Sequence, residues 1–505
     1  MFVFQENDLD RMLDVIITNM LPQRSPSQKP VPANVLYLSA RYAHYHASPE
    51  LLSRLLNAAM DKVNDVIELH QWDMTILAFW LSNATILLYY LKKDAGLQVS
   101  TVDFQLHISE LINEIFILIL RDAERRMDKV LDSALLDHET IPGFEDVHFQ
   151  HEWRLFKKKK SPDPTASGKS LRPPSPKQRA KPSPRNITSL LSSTLFVLDL
   201  YDIHSVITAQ VLAQLFYWLG AELFNRIMSN RKYLARTKAM QIRLNVSTLE
   251  DWARTNNREP DHYENGSLTS TGESVAEAAR KHLAPVVQLL QWLQCFSSLG
   301  EDFEALKSTL QQLPRMTPEQ LLHATKNYRP EVGEKGLTKE NFKYLVGLNM
   351  ELMEKRQRRI SRPTVQPNSS AATSSPTQPS KTQTSAGAID TAATTAVGDD
   401  YEDDMPENLL FDPALMLPFS LPTSTDMLVT FGAGIGGMNR ERERKYWPSV
   451  PPEFMNKLDF ASNGLTGAGH TRNLSLASYS GSIGSGGGGG FSGTGGSSSG
   501  WGDYD

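Results

Sequence analysis

One cysteine, Cys295, in a chain of 505 residues excludes an intrachain disulfide and a zinc cage built on thiolates, and a long chain without a cysteine framework reads as intracellular. An excess of charge is missing as well. A formal net charge of -5 and a pI near 6.2 give no global attraction to nucleic acid or anionic lipid, so nucleic acid is not an expected partner and any basic surface is local. The first residues, Met1-Phe2-Val3-Phe4-Gln5-Glu6-Asn7-Asp8, carry acids where a secretory signal carries bases, and lack the arginines of a transit peptide. The expected location is the cytoplasm. No heptad pattern persists long enough for a coiled coil.

What is present is helical periodicity. From Asn7 to about Phe156 apolar residues recur at helical spacing, as in Leu51, Leu52, Leu55, Leu56, Ala59, Val63 and Val66, so residues 1–156 are expected to form a first helical half. Ser48-Pro49-Glu50 offers an N-cap with proline at the first helical position. Lys92-Lys93 followed by Gly96 is expected to close a helix that begins at Met74, and a further helix is expected from about Phe104 through Arg126. Residues 157–186, from Lys157-Lys158-Lys159-Lys160 onward, are basic and rich in proline and serine, which predicts a disordered insertion. Periodicity resumes near Ile187, giving a second helical half over 187–356 with one polar break at about Thr255 to Gly272. A disordered linker is expected over 357–404 and a disordered Gly/Ser-rich tail over 461–505. Between them, within 405–460, lies an apolar stretch, Asn408 to Ala433, broken by Pro413, Pro418 and Pro422. Those prolines forbid a long helix while the apolar load is too great for a solvated linker, so the stretch is expected to be an extended strap on the helical body.

The uncharged run from Met74 to Leu91 just reaches the length of a membrane span. Ser82 and Asn83 at its centre, charges close at both ends and no second span of similar quality favour a buried core helix. The membrane-anchored alternative, through this helix or the basic insertion, stays open. Chemical motifs are weaker still. Gly168-Lys169-Ser170 lacks the earlier glycine and the preceding strand of a phosphate loop. His44 with His46, and His148 with His151 and Glu152, match no metallohydrolase spacing, so no metal and no cofactor is expected. Gly481-Ser482-Ile483-Gly484 occurs only in low-complexity sequence. The Ser-Pro pairs at Ser161, Ser175 and Ser183 are candidate phosphosites that could switch a nuclear-import or lipid-binding patch, with a solvated spacer as the favoured plain reading.

Leu77-Ala78-Phe79-Trp80-Leu81-Ser82-Asn83-Ala84-Thr85 resembles the dilute (DIL) domain, the globular cargo-binding tail of class V myosins. A second block combines Gln210, Gln214, Phe224, Asn225 and Arg231 with Asn245-Val246-Ser247-Thr248-Leu249-Glu250-Asp251-Trp252, and a weaker third runs from Leu283 to Gln291. The resemblance spans roughly Leu51 to Met353 and marks Phe79, Trp80, Leu81, Ser82, Asn83, Gln210, Gln214, Phe224, Asn225, Leu249, Glu250 and Trp252 as the motif core. It implies an all-α fold, an elongated multi-helix bundle in two subdomains with a C-terminal segment packed back along it. Without motor, calmodulin-binding repeats or coiled coil, the chain is similar to the standalone dilute-domain proteins of fungi, some of which carry ankyrin repeats that are not visible here.

The expected function is therefore that of a non-enzymatic adaptor binding proteins in the grooves of its bundle. Cargo adaptors or small GTPases on organelles or vesicles are the partners that the resemblance implies. Ser82 and Asn83 are expected to hydrogen-bond neighbouring backbone or side chains inside the bundle.

Overall fold

The computed structural model describes residues 1–144, 147–150, 182–260, 262–264, 267–269, 272–360, 408–437 and 440–462. Ser161, Ser175, Gly168-Lys169-Ser170, His151, residues 361–404 of the linker and 463–505 of the tail lie outside them, while residues 357–360 and 461–462, expected in linker and tail, continue helices.

The first half contains α1 (Leu9–Leu13), α2 (Val31–His46), α3 (Pro49–Leu69), α4 (Met74–Lys93), α5 (Ala95–Ser100) and α6 (Val102–Leu131). Helix α3 starts as the sequence predicts: the Ser48 side chain accepts from Leu51 N and Pro49 stands at the first helical position. Its inward stripe is Leu52, Leu55, Leu56, Ala59, Val63, Val66 and Ile67, the face a 3.6-residue period produces. Helix α4 is capped by Asp73, which accepts from Thr75 N and Ile76 N, and it is buried on nearly every side. Its end differs from expectation. Asp94, not Gly96, follows the helix and turns outward to cap α5, accepting from Gly96 N and Leu97 N at 3.2 Å. Gly96 instead lies inside α5, where a Cβ would meet the side-chain tips of Tyr45 and His44. Helix α6 also runs longer than 104–126, because Met127 and Leu131 continue its buried stripe.

The second half contains α7 (Pro184–Leu200), α8 (Ser205–Ser229), α9 (Arg236–Thr255), α10 (Val275–Cys295), α11 (Phe303–Gln311), α12 (Pro318–Asn327) and α13 (Lys339–Ile360). Helix α7 begins before Ile187. Ser183 is its N-cap, with Ser183 N donating to Asn186 Oδ1 at 2.8 Å and Pro184 at the first position, so this candidate phosphosite belongs to a helix start and not to a spacer. The polar break holds an antiparallel hairpin, His262–Glu264 with Ser267–Thr269, the one pair of strands among the described residues. After the linker come α14 (Ser424–Phe431), α15 (Arg440–Lys445) and α16 (Pro452–Ser462).

Helix α8 is the hub of this half. It lies against α6 and α10, and a Cβ at Gly220 would meet the His282 carbonyl at 2.2 Å; the missing side chain is what lets α8 and α10 approach so closely. The two halves join through one continuous hydrophobic core, in which α4 and α6 of the first touch α7 and α8 of the second. Helix α8 also corrects the expectation that Met74–Leu91 has no rival as a span: by length and composition Ser205–Ser229 qualifies too. In the most apolar windows of α4 and α8, 89% and 78% of the residues are buried inside the protein, the setting of core helices.

Candidate functional site

A helix in the middle of a bundle has no reason to keep glutamine and asparagine on an apolar body unless their amides are used. Gln210, Gln214 and Asn225 stand four and eleven residues apart on α8, separations near one and three full turns, so they share one face. That face holds the strap.

Residues 408–423 run along α8 without helical structure and antiparallel to it. Asn225 Nδ2 donates to Phe411 O at 2.8 Å while its Oδ1 accepts from Phe411 N at 2.9 Å. Gln214 Nε2 donates to Leu415 O at 2.9 Å and its Oε1 accepts from Leu417 N at 2.8 Å. Gln210 repeats the pattern on Ser420, donating to its carbonyl at 2.9 Å and accepting from its N–H at 2.8 Å. Each side-chain amide thus imitates the edge of a β-strand, offering one donor and one acceptor to an extended backbone. Between the Asn225 and Gln214 contacts the strap turns, Leu415 N donating to Asp412 O at 3.2 Å and Ala414 N to Asp412 Oδ1 at 2.9 Å. Tyr217 Oη adds a bond to Asp412 O at 2.8 Å, and Gln320 Nε2 of α12 one to Leu409 O at 3.1 Å. Burial, and then the Asp412 charge, push the Tyr217 phenol upward, which keeps it a donor at neutral pH.

Side chains fill the intervals. Phe411 meets Phe224 edge-on at 4.8 Å, and Phe419 stacks on Phe116 of α6 at 4.3 Å. Leu409 and Leu421 also pack against the core. From Ser424 the strap departs from the extended form expected through Ala433. Thr423 and Asp426 form a capping box, and the apolar run Met427 to Phe431 becomes α14. This short helix latches the strap over the start of α8 and over α4. Thr430 Oγ1 lies 3.0 Å from His204 Nε2, while His204 Nδ1 caps α8 by accepting from Val206 N at 3.2 Å. Phe431 contacts the rings of Tyr89 and Tyr446.

The other motif residues do not join this face. Phe79, Trp80, Leu81, Ser82 and Asn83 are buried in α4. There Asn83 Nδ2 donates to Lys29 O and Phe79 O, and its Oδ1 accepts from Ala33 N at 3.1 Å. Because Pro30 precedes α2 and offers no side-chain cap, Asn83 caps that helix from a neighbouring one. On α9, Leu249 is fully buried, Glu250 pairs with Arg243 at 2.9 Å, and Trp252 Nε1 donates to Ser192 Oγ at 2.8 Å. Asn245 reads backbone too, donating to Leu135 O and His138 O at 2.9 Å. Tyr217, Gln320 and the capping histidine carry no motif signal and were not legible as contacts of the strap.

A cavity of about 230 Å³ lies beside the strap between α8 and α10. Ala209, Ala213, Leu417, Pro418 and Ser420 line it together with Lys281 and His282. Burial, with Lys281 and Arg315 nearby, lowers the His282 pKa to about 4, so its ring is neutral at physiological pH. Nucleophile, base and oxyanion donors are not assembled there among the described residues.

Backbone-reading amides on a helical bundle thus hold a later segment of the same chain along α8. The DIL domain family matches residues 210–332, which include the strap-binding amides. A dilute domain-containing protein of Schizosaccharomyces pombe is 34% identical over 474 residues, covering 92% of this chain and 73% of the relative. One from Saccharomyces cerevisiae is 26% identical, covering 68% of this chain and about half, 52%, of its own length. The chain belongs to the dilute-domain family. Among solved structures, the cargo binding domain of yeast myosin 5 has the same fold, with a TM-score of 0.50 at 15% identity, covering 73% of this chain and 88% of that one.

Proposed function

We propose that this protein is a non-enzymatic adaptor that binds segments of partner proteins on its helical body and links organelles or vesicles to transport or polarity machinery in the cytoplasm. The observation that carries the reading is the strap face of α8, a surface whose Gln210, Gln214 and Asn225 side chains already hold an extended segment by its backbone. The shared fold with a myosin cargo binding domain supports it. Cargo adaptors or small GTPases are the proposed partners. Affinity purification with and without residues 408–433 tests the proposal: loss of the strap exposes apolar surface and changes the set of recovered partners. Unchanged solubility together with an unchanged set contradicts it.

A membrane-anchored reading draws on the length and composition of α4 and α8. Both helices are largely buried, which favours the adaptor. In carbonate extraction of cell membranes the protein is expected in the supernatant, and retention in the pellet favours the anchor.

A further inference from the structure

The strap is held in a way that does not test its sequence. Six of the hydrogen bonds along it, two each from Gln210, Gln214 and Asn225, end on strap N–H and C=O groups and touch no strap side chain. Identity enters through Phe411 on Phe224 and Phe419 on Phe116. Between these anchors Leu415 and Met416 are turned outward, 51% and 41% exposed, and Leu410 is 38% exposed.

The fit is also incomplete. Ala209 and Ala213 leave the cavity of about 230 Å³ unfilled beside Leu417, Pro418 and Ser420, so a segment with a larger side chain there would bury area that the resident strap leaves open. Release needs no helix of the body to move. On one side α14 fixes the strap, while on the other 47 residues of sequence, positions 361–407, precede Asn408, a contour of about 160 Å.

We infer that the strap face of α8 is an exchangeable peptide site, and that its partner is a non-helical protein segment that takes the strap's path, with a turn after its first anchor, and carries two aromatic residues eight positions apart, the spacing of Phe411 and Phe419. The strap is then a resident competitor that sets the threshold a partner must exceed, with α14 staying seated during exchange. This assignment rests on the adaptor reading, because it names the kind of partner that the same face accepts.

The probe is a fluorescein-labelled peptide of residues 408–423 titrated into the full chain, with anisotropy reporting binding and hydrogen exchange at Leu417 and Ser420 reporting the chain's own strap. Saturable binding with loss of strap protection is expected. Phe419→Ser in the full chain weakens the competitor alone and lowers the half-saturating peptide concentration by about tenfold, while Ser at both aromatic positions of the peptide raises it by about as much. Absence of peptide binding to both the unaltered chain and the F419S chain overturns the inference, as does equal binding of the serine-substituted peptide. The two readings fail separately. Peptide exchange with a partner set indifferent to loss of 408–433 defeats the adaptor role of this face, whereas a changed partner set without any peptide exchange defeats only the exchangeable site.

Discussion

Asn83 on α4 and the amides on α8 perform the same chemistry in opposite settings. Asn83 reads Lys29, Ala33 and Phe79 inside a closed core, where water cannot replace a lost partner. Gln210 and Asn225 are half-buried and Gln214 is 1% exposed beneath the strap, but all three face a surface segment whose Asp412 and Ser420 are exposed, so water can take the segment's place when it is removed. The difference teaches that an amide inside the core fixes the packing of helices, whereas the amides on α8 hold a non-helical surface segment.

Substitutions break the comparison in order of size. Asn83→Leu leaves the Ala33 N–H and Lys29 carbonyl without their partner in the core, and thermal unfolding should register a loss of about 3 kcal/mol. Asn225→Ala removes both bonds to Phe411 for a cost of about 2 kcal/mol, but it should show as faster hydrogen exchange confined to residues 409–423, with little change in global Tm. A global effect as large as that of Asn83→Leu would merge the two settings.

The seam between α6 and α8 offers a titration. Burial pushes the Glu124 carboxyl up to about 7, with Glu222 adding to the rise and Arg121 opposing it. A carboxyl whose folded pKa is raised binds its proton more tightly when folded, so stability falls as pH rises from about 4.5 through about 7. Lowering the pH from 8 to 6 should therefore raise Tm by an amount on the order of 1 kcal/mol in stability. Glu124→Gln should abolish that rise. Smallest of all, Asn186→Ala removes the acceptor of the Ser183 N–H at the start of α7 and should cost about 1 kcal/mol by urea denaturation; no change would return Ser183 to the spacer.

Much of the fold was legible from particular residues. The uncharged Met74–Leu91 run, the Asp73 cap and the Ser48-Pro49 start each encode a local choice that tertiary packing then uses. The strap announced itself through Leu409 to Leu421 and three prolines. Its helical end is encoded by the capping box of Thr423 and Asp426, a signal that acts only beyond the last of the three prolines. In the polar break the sequence between His262–Glu264 and Ser267–Thr269 is Asn265-Gly266, a dipeptide that favours tight hairpins.

What the sequence could not reveal was the target of the motif. Gln210 and Ser420 are 210 residues apart, and spacing along one helix says which residues share a face but not what covers it. The motif residues also divide among α4, α8 and α9: Asn83, Gln210, Gln214 and Asn225 read backbone, Glu250 and Trp252 bind side chains, and the α8 set is the one that faces the strap.

Hydrogen exchange resolved to single strap amides tests the α8 ladder most directly. Phe411, Leu417 and Ser420 donate to Asn225, Gln214 and Gln210 and should be protected, while Met416 and Phe419 between them exchange fast; Gln214→Ala should release Leu417 first. Uniformly fast exchange across 409–423, or protection indifferent to Gln214, would contradict the ladder.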